Sequence, residues 1–80
     1  MKVQRVITHY QKDGDEYIGE HQIDISLDQI RQMWEPFDND PLFYMCYPIT
    51  EKQSEKMEEL FNIKIDLMQF DYFLECYKGV

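Results

Sequence analysis

Residues 3–25 read VQRVITHYQKDGDEYIGEHQIDI, and this stretch predicts the first element of the fold. β-Branched and aromatic side chains gather on both sides of Asp13-Gly14, and such residues suit the pleated surface of a strand. An Asp-Gly pair favours a tight turn because glycine adopts positive φ without a steric penalty. The chain is therefore expected to begin with an antiparallel β-hairpin whose strands cover residues 3–10 and 16–25.

The length of the turn sets the register of this hairpin. A three-residue loop pairs Tyr10 with Ile18 and Ile7 with His21. A two-residue loop shifts every partner and moves the side chains to the other face of the sheet. The sequence leaves both registers open.

Two capping boxes predict where helices begin. Residues 26–29 (SLDQ) and 50–53 (TEKQ) each place a hydroxyl three positions before a glutamine, so the two side chains can cap each other's backbone amides. Apolar residues at helical spacing follow both boxes, and helices are expected over 27–35 and 51–61. Pro36 ends the first helix because the residue before a proline avoids helical backbone.

The second half of the chain supplies the remaining strands. Residues 63–67 alternate apolar and charged side chains, and residues 70–77 alternate between two faces, so each range is expected to be a strand. The apolar run 42–47 fits either a buried strand or an irregular core segment. Residues 1–80 are thus predicted to form a single small α+β domain. Its antiparallel four-stranded sheet has the order β-β-α-α-β-β, with two short helices on one face.

Net charge is the strongest functional signal. The 80 residues include 16 acids and 8 bases, for a formal charge of −8, and residues 13–40 hold nine of the acids with a single arginine. Binding to nucleic acid or to an anionic membrane requires cations that neutralise phosphates, so both partners are disfavoured. The chain lacks a signal peptide and an apolar run of about 18 residues, which favours a cytoplasmic location. A basic protein partner remains, beside the plainer alternative of a solvated surface.

Catalytic and metal-binding patterns are not found in the sequence. His9 and His21 lack the closely spaced cysteine pair that anchors a zinc site, and no serine or cysteine has a base beside it. Cys46 and Cys76 are expected to be reduced, buried thiols. The expected protein is therefore not an enzyme, and it needs no cofactor or metal.

Several short motifs point to a known family. They are Tyr17-Ile18-Gly19-Glu20, Phe61-Asn62, Ile65-Asp66-Leu67 and Tyr72-Phe73-Leu74. Together with the length and acidity, these motifs resemble the cloacin immunity family, the small acidic antitoxins of ribonuclease-type bacteriocins. Residues 46–50 and 70–77 are also similar to a family of uncharacterised bacterial domains that occur near toxin systems, including contact-dependent inhibition loci.

The resemblance implies an immunity protein that binds and neutralises a basic nuclease toxin domain, a ribonuclease, in a 1:1 complex. A cytosolic interaction or adaptor domain unrelated to toxins is the alternative. In the first case acidic residues match the cationic toxin and a few aromatic anchors supply affinity. Glu20 is expected in the contact set from its motif, and the other acids from their charge density. Trp34 has a second interpretation as a core residue that completes the stripe of the first helix. The full set is Asp13, Asp15, Glu16, Glu20, Asp24, Asp38 and Asp40, with Trp34, Phe37 and Tyr44 as anchors.

Overall fold

The computed structural model describes residues 3–14 and 16–78 and shows a four-stranded sheet with two helices. The strands form one antiparallel sheet in the order β2-β1-β4-β3. This confirms the predicted α+β class. In chain order the elements are β1 (Val3–Gln11), β2 (Tyr17–Ile23), α1 (Leu27–Met33), β3 (Tyr47–Pro48), α2 (Glu51–Phe61) and β4 (Phe70–Lys78).

The element order differs from the predicted one, because the third strand lies between the helices. Tyr47 and Pro48 pair with Leu74 and Phe73 of β4, which gives the order β-β-α-β-α-β. The strand predicted over residues 63–67 is wrong. Ile63 and Ile65 are half-buried against the core, so the alternation there reflects burial without strand pairing. The run 42–47 is irregular up to its last residue, which begins β3.

The hairpin adopts one of the two predicted registers along most of its length. Ile7 pairs with His21, as a three-residue loop requires. A bulge between His9 and Tyr10 then places Tyr10 opposite Tyr17 instead of Ile18. A bulge of this kind re-aims the side chains that follow it, and here it brings two tyrosines together.

Both helices begin at the predicted capping boxes. The Gln29 amide donates to Ser26 Oγ at 3.1 Å, and the Ser26 amide donates to Gln29 Oε1 at 3.0 Å. Helix α1 ends at Met33, two positions before the predicted end, and α2 has the predicted bounds. Asn62 ends α2 in the left-handed region, with φ of 56°. In the described part of the chain, neither helix is long and apolar enough to cross a membrane.

The core occupies one side of the sheet. Ile7 and Leu74 from the central strands pack with Ile30 of α1 and Met57 of α2 in one buried cluster. Because side chains alternate along strands, the neighbours of these sheet residues point to the other side. No described helix packs there, and we call this side the open face. Its residues are Gln4, Val6, Thr8, Tyr10, Tyr17, Glu20, Gln22, Asp71, Phe73, Glu75 and Tyr77.

A buried arginine fixes the long segment between α1 and β3 on the core side. Arg5 is 8 % exposed, and its guanidinium donates to the carbonyl oxygens of Leu42, at 2.8 Å, and Phe43. Phe43 is fully buried and has a φ of 58°. The irregular segment is thereby attached to β1, with Phe43 in the core cluster.

Candidate functional site

An aromatic row crosses three strands on the open face. The rings of Tyr10 and Tyr17 have centroids 5.7 Å apart and are nearly perpendicular, at 87°. Tyr10 meets Phe73 at the same centroid distance and at 73°. Edge-to-face packing is a favourable arrangement of aromatic rings, so the row is held in place by its own contacts.

Glu20 joins the two outer strands of this row. Its Oε1 accepts a hydrogen bond from the Tyr17 hydroxyl at 2.8 Å and another from the Tyr77 hydroxyl at 3.2 Å. Because Tyr77 lies on β4 and Glu20 on β2, the tyrosine side chain crosses β1 to reach the carboxylate. The β1 residues Val6 and Thr8 on this face are only 2 % and 1 % exposed. Neither tyrosine donates to Glu20 Oε2.

The two tyrosines remain protonated donors at neutral pH. The hydrogen bond to Glu20 is the largest cause that raises the pKa of Tyr17 to about 12. Desolvation, followed by the charge of Glu20, raises the pKa of Tyr77. The carboxylate thus keeps both hydroxyls aimed at itself, and the open face presents a fixed negative charge framed by aromatic rings.

A pocket opens beside the aromatic row. Its volume is about 290 Å³, and it is lined by Tyr10, Phe73, Asp71, Glu75 and Cys46. Glu75 Oε2 accepts hydrogen bonds from the hydroxyls of Thr8 and Tyr10. The Lys12 ammonium lies 3.2 Å from Asp71 Oδ1. The pocket therefore combines aromatic walls with one carboxylate that is already paired to a cation and one that is not.

Cys46 forms part of the pocket wall with an exposed, free thiol, and Cys76 is free and half-buried. The expectation that both thiols are buried is wrong, because Cys46 immediately precedes β3 and faces away from the core. Partial desolvation, with a smaller effect from the charge of Glu75, raises the pKa of the Cys46 thiol. The described residues contain no cluster of three or more side chains suited to holding a metal.

Residues 4–75 match the family described as a domain of unknown function, DUF7683. The chain belongs to this family. The match includes both strands of the hairpin, segment 34–46 and most of β4, so it covers nearly all of the open face. A search of curated proteins gave no match.

The predicted acidic residues of this DUF7683 domain do not form one patch. Asp13 and Glu16 flank the hairpin turn, whereas Asp24 follows the opposite end of β2, roughly 20 Å of strand away. Glu20 lies on the open face, and Asp38 lies in the segment between α1 and β3. These five side chains are exposed, and none forms an ion pair with another described residue. Asp15 lies outside the described residues.

Asp40 is inside the DUF7683 domain instead of on its surface. It is 5 % exposed, and its carboxylate accepts hydrogen bonds from the amides of Tyr44 and Met45, at 2.9 and 3.0 Å, and from the Tyr47 hydroxyl at 2.6 Å. Burial raises the pKa of Asp40, but these three hydrogen bonds and the charge of Arg5 outweigh it, so the pKa lies below its ordinary value. The carboxylate stabilises the folded segment, so the prediction that Asp40 contacts a partner is wrong.

The three predicted aromatic anchors also separate. Trp34 is 8 % exposed, and its indole N–H donates to the Pro48 carbonyl at 2.7 Å, so it is the core residue that its second interpretation describes. Phe37 is 44 % exposed and stacks on Tyr47 at a centroid distance of 4.2 Å. Tyr44 is 38 % exposed, with the Arg5 guanidinium 5.9 Å from its ring centroid. Phe37 and Tyr44 therefore remain accessible on segment 34–46.

The predicted contact set lacks six open-face residues of this site, namely Tyr10, Tyr17, Asp71, Phe73, Glu75 and Tyr77. Their signal was present in part, since alternation along residues 70–77 already placed Phe73, Glu75 and Tyr77 on one face with Asp71. Tyr17 could not be assigned to that face, because the bulge that turns its side chain there follows no visible sequence rule. In the structure the ring of Tyr10 contacts the ring of Tyr17, whose hydroxyl donates to Glu20, and this contact completes the site.

Proposed function

We propose that this DUF7683 domain is an immunity protein that binds a basic nuclease toxin domain, a ribonuclease, and neutralises it. The observation that carries this proposal is the open face, where Tyr10, Tyr17 and Phe73 lie beside the carboxylates of Glu20 and Glu75. Buried aromatic anchors supply most of the energy of protein interfaces, and carboxylates among them select a cationic partner. The motifs shared with the cloacin immunity family support the same activity.

Charge contributes to this function at two ranges. A ribonuclease must be cationic where it holds RNA phosphates, and a protein with a net charge of −8 is attracted to it from a distance. Because the exposed acids lie on several sides of the molecule, the net charge accelerates encounter without fixing orientation. The open face then sets the orientation of the two proteins when they meet, because its rings and carboxylates lose their contact with water in the complex.

The wide distribution of the acids favours a second candidate, an adaptor domain that binds a protein unrelated to toxins. An immunity protein and an adaptor would both use the open face, but only the immunity protein suppresses a nuclease. The two candidates therefore differ in one measurable activity.

The decisive experiment first looks for a toxin gene directly beside the gene of this protein and then co-expresses the nuclease domain of that toxin with this chain. We expect the wild type to restore growth and to block RNA cleavage by the purified nuclease. Glu20→Lys should lose protection, because it reverses the charge between Tyr17 and Tyr77. Glu55→Lys, the same change on an exposed position of α2, should protect like the wild type. Failure of the wild type to protect refutes the immunity function, and full protection by Glu20→Lys refutes the role of the open face.

A kinetic measurement tests the electrostatic part of the proposal. The association rate of the wild type with the nuclease should fall steeply as ionic strength rises, because salt screens the long-range attraction. The dissociation rate should change much less, since it depends on the desolvated contacts. An association rate that does not respond to salt would contradict steering by net charge.

A further inference from the structure

We infer that the pocket lined by Tyr10, Phe73 and Glu75 receives an arginine side chain of the partner protein. This assignment rests on the proposed function and specifies what the open face recognises. It is carried by the shape, charge and wall chemistry of the pocket, which we take in turn.

The pocket has room for one long side chain. Its volume is about 290 Å³, and its lining includes the rings of Tyr10 and Phe73, which contact each other edge to face at 73°. A planar guanidinium can therefore stack on one ring while it meets the edge of the other. Arginine pairs with aromatic faces in this way because its charge is delocalised and weakly hydrated.

The charge of the pocket matches a single cation. Asp71 already has the Lys12 ammonium at 3.2 Å, so these two charges offset each other. Among the residues that the structure describes, the partners of Glu75 are two hydroxyls, those of Thr8 and Tyr10, and both bind Oε2. Its other oxygen, Oε1, is not used by either bond and can accept from a guanidinium N–H. Two carboxylates, one of them paired with a lysine, are too few for a calcium ion, which takes six or more oxygen ligands, and the described residues contain no group of three or more side chains suited to another metal.

Arginine fits better than lysine for a physical reason. A lysine ammonium is compact and strongly hydrated, so it loses more on entering a site with two aromatic walls. The N–H groups of a guanidinium lie in its plane, so they can donate to Glu75 while the flat face of the same group stacks on an aromatic ring. Cys46 borders the same pocket with an exposed thiol, which provides a chemical reporter of occupancy.

The test uses arginine amide as a probe of the whole chain, with citrulline amide as the uncharged isostere and lysine amide as the competing cation. We expect arginine amide to shift the NMR signals of the Tyr10 and Phe73 rings. It should also slow the alkylation of Cys46, with Cys76 on the opposite side of β4 as the internal standard. Equal shifts from citrulline amide, or equal affinity for lysine amide, would overturn the assignment to arginine.

Two variants locate the site. Glu75→Gln, which still offers an oxygen to Thr8, should weaken the binding of arginine amide about tenfold, because a charge-assisted hydrogen bond is lost. Phe73→Leu keeps an apolar side chain but removes one stacking surface, and it should weaken binding as well. Glu55→Gln, at an exposed position of α2 away from the open face, should leave the affinity unchanged. Unchanged affinity in both pocket variants would place the arginine elsewhere and overturn the inference.

The failures of the inference and of the proposed function can be told apart. If arginine amide does not bind, yet the wild type, Glu75→Gln and Phe73→Leu all neutralise the nuclease, the pocket assignment is wrong and the immunity function stands. If arginine amide binds in the pocket and the wild type does not protect against the nuclease, the immunity function is wrong and the pocket chemistry stands.

Discussion

Replacing Asp40 with asparagine should destabilise the domain by about 2–4 kcal/mol. The carboxylate accepts from the Tyr44 amide on Oδ1, and from the Met45 amide and the Tyr47 hydroxyl on Oδ2. Asparagine has only one acceptor oxygen, so its NH₂ group must face at least one of these donors. A buried donor without an acceptor costs about 1–3 kcal/mol, and the substitution also removes the negative charge that acts on the buried Arg5.

This loss is large for a chain of this size. A domain of 80 residues has a total stability of about 4–12 kcal/mol, so a loss of about 2–4 kcal/mol removes a large part of it, and Asp40→Asn should unfold at a clearly lower urea concentration. Asp38→Asn is the matched control, because Asp38 is exposed in the same segment and surface changes stay within about 0.5 kcal/mol. If Asp40→Asn unfolds at the same urea concentration as Asp38→Asn, the structural role of Asp40 is refuted.

The same pair of proteins has a defined pH dependence. The pKa of Asp40 in the folded state lies below its ordinary value of 3.8. Its ionised form therefore stabilises the fold above pH 4 or so, and this contribution is lost as pH falls through the folded pKa. The difference in unfolding free energy between the wild type and Asp40→Asn should be constant near neutrality and narrow in acid. A difference that widens in acid would contradict this assignment.

Three further outcomes are expected. The Tyr17 phenol should titrate near 12 by NMR, and Glu20→Gln should bring its pKa back toward 10, since the hydrogen bond to the carboxylate is the main cause; an unchanged pKa would contradict the Glu20 contact. Glu75→Gln should remove the smaller of the two effects that raise the pKa of Cys46, so alkylation of this thiol at neutral pH should become faster in a pH–rate profile. A profile identical to that of the wild type would contradict the effect of Glu75 on Cys46. Asn62→Ala should cost about 1 kcal/mol in urea unfolding while Asn62→Gly costs little, because only alanine resists the left-handed backbone; equal losses would show that the backbone conformation is not the cause.

The elements that could be predicted from the sequence are those with local determinants. Asp13-Gly14 and the capping boxes act through residues within four positions, and the hairpin and both helix starts appear where they predict. Strand β3 has no such signal. It consists of Tyr47 and Pro48, and it exists because β4 is already in place to pair with them. Residues 63–67 show the reverse case, with the pattern of a strand and no partner strand beside them.

The candidate site could be predicted only in part, because sequence does not distinguish a surface carboxylate from a buried one. Asp38 and Asp40 are two positions apart in the same acidic run, yet only Asp40 is surrounded by donors in the folded chain. Glu20 was assigned from its motif and does lie on the open face. Its partner Tyr77 is far away in sequence, and the contact depends on the pairing of β1 with both β2 and β4.

The proposed binding would use residues of the open face that also serve folding. A small domain has enough chain to cover one side of its sheet, and the other side must protect itself with its own side chains. Tyr77 and Tyr10 do this over Val6 and Thr8, and their hydroxyls then need acceptors. Glu20 and Glu75 are those acceptors, and the same carboxylates give the face its charge. A loss of binding at either glutamate therefore identifies a contact only when it exceeds the loss of folded protein measured for the same variant.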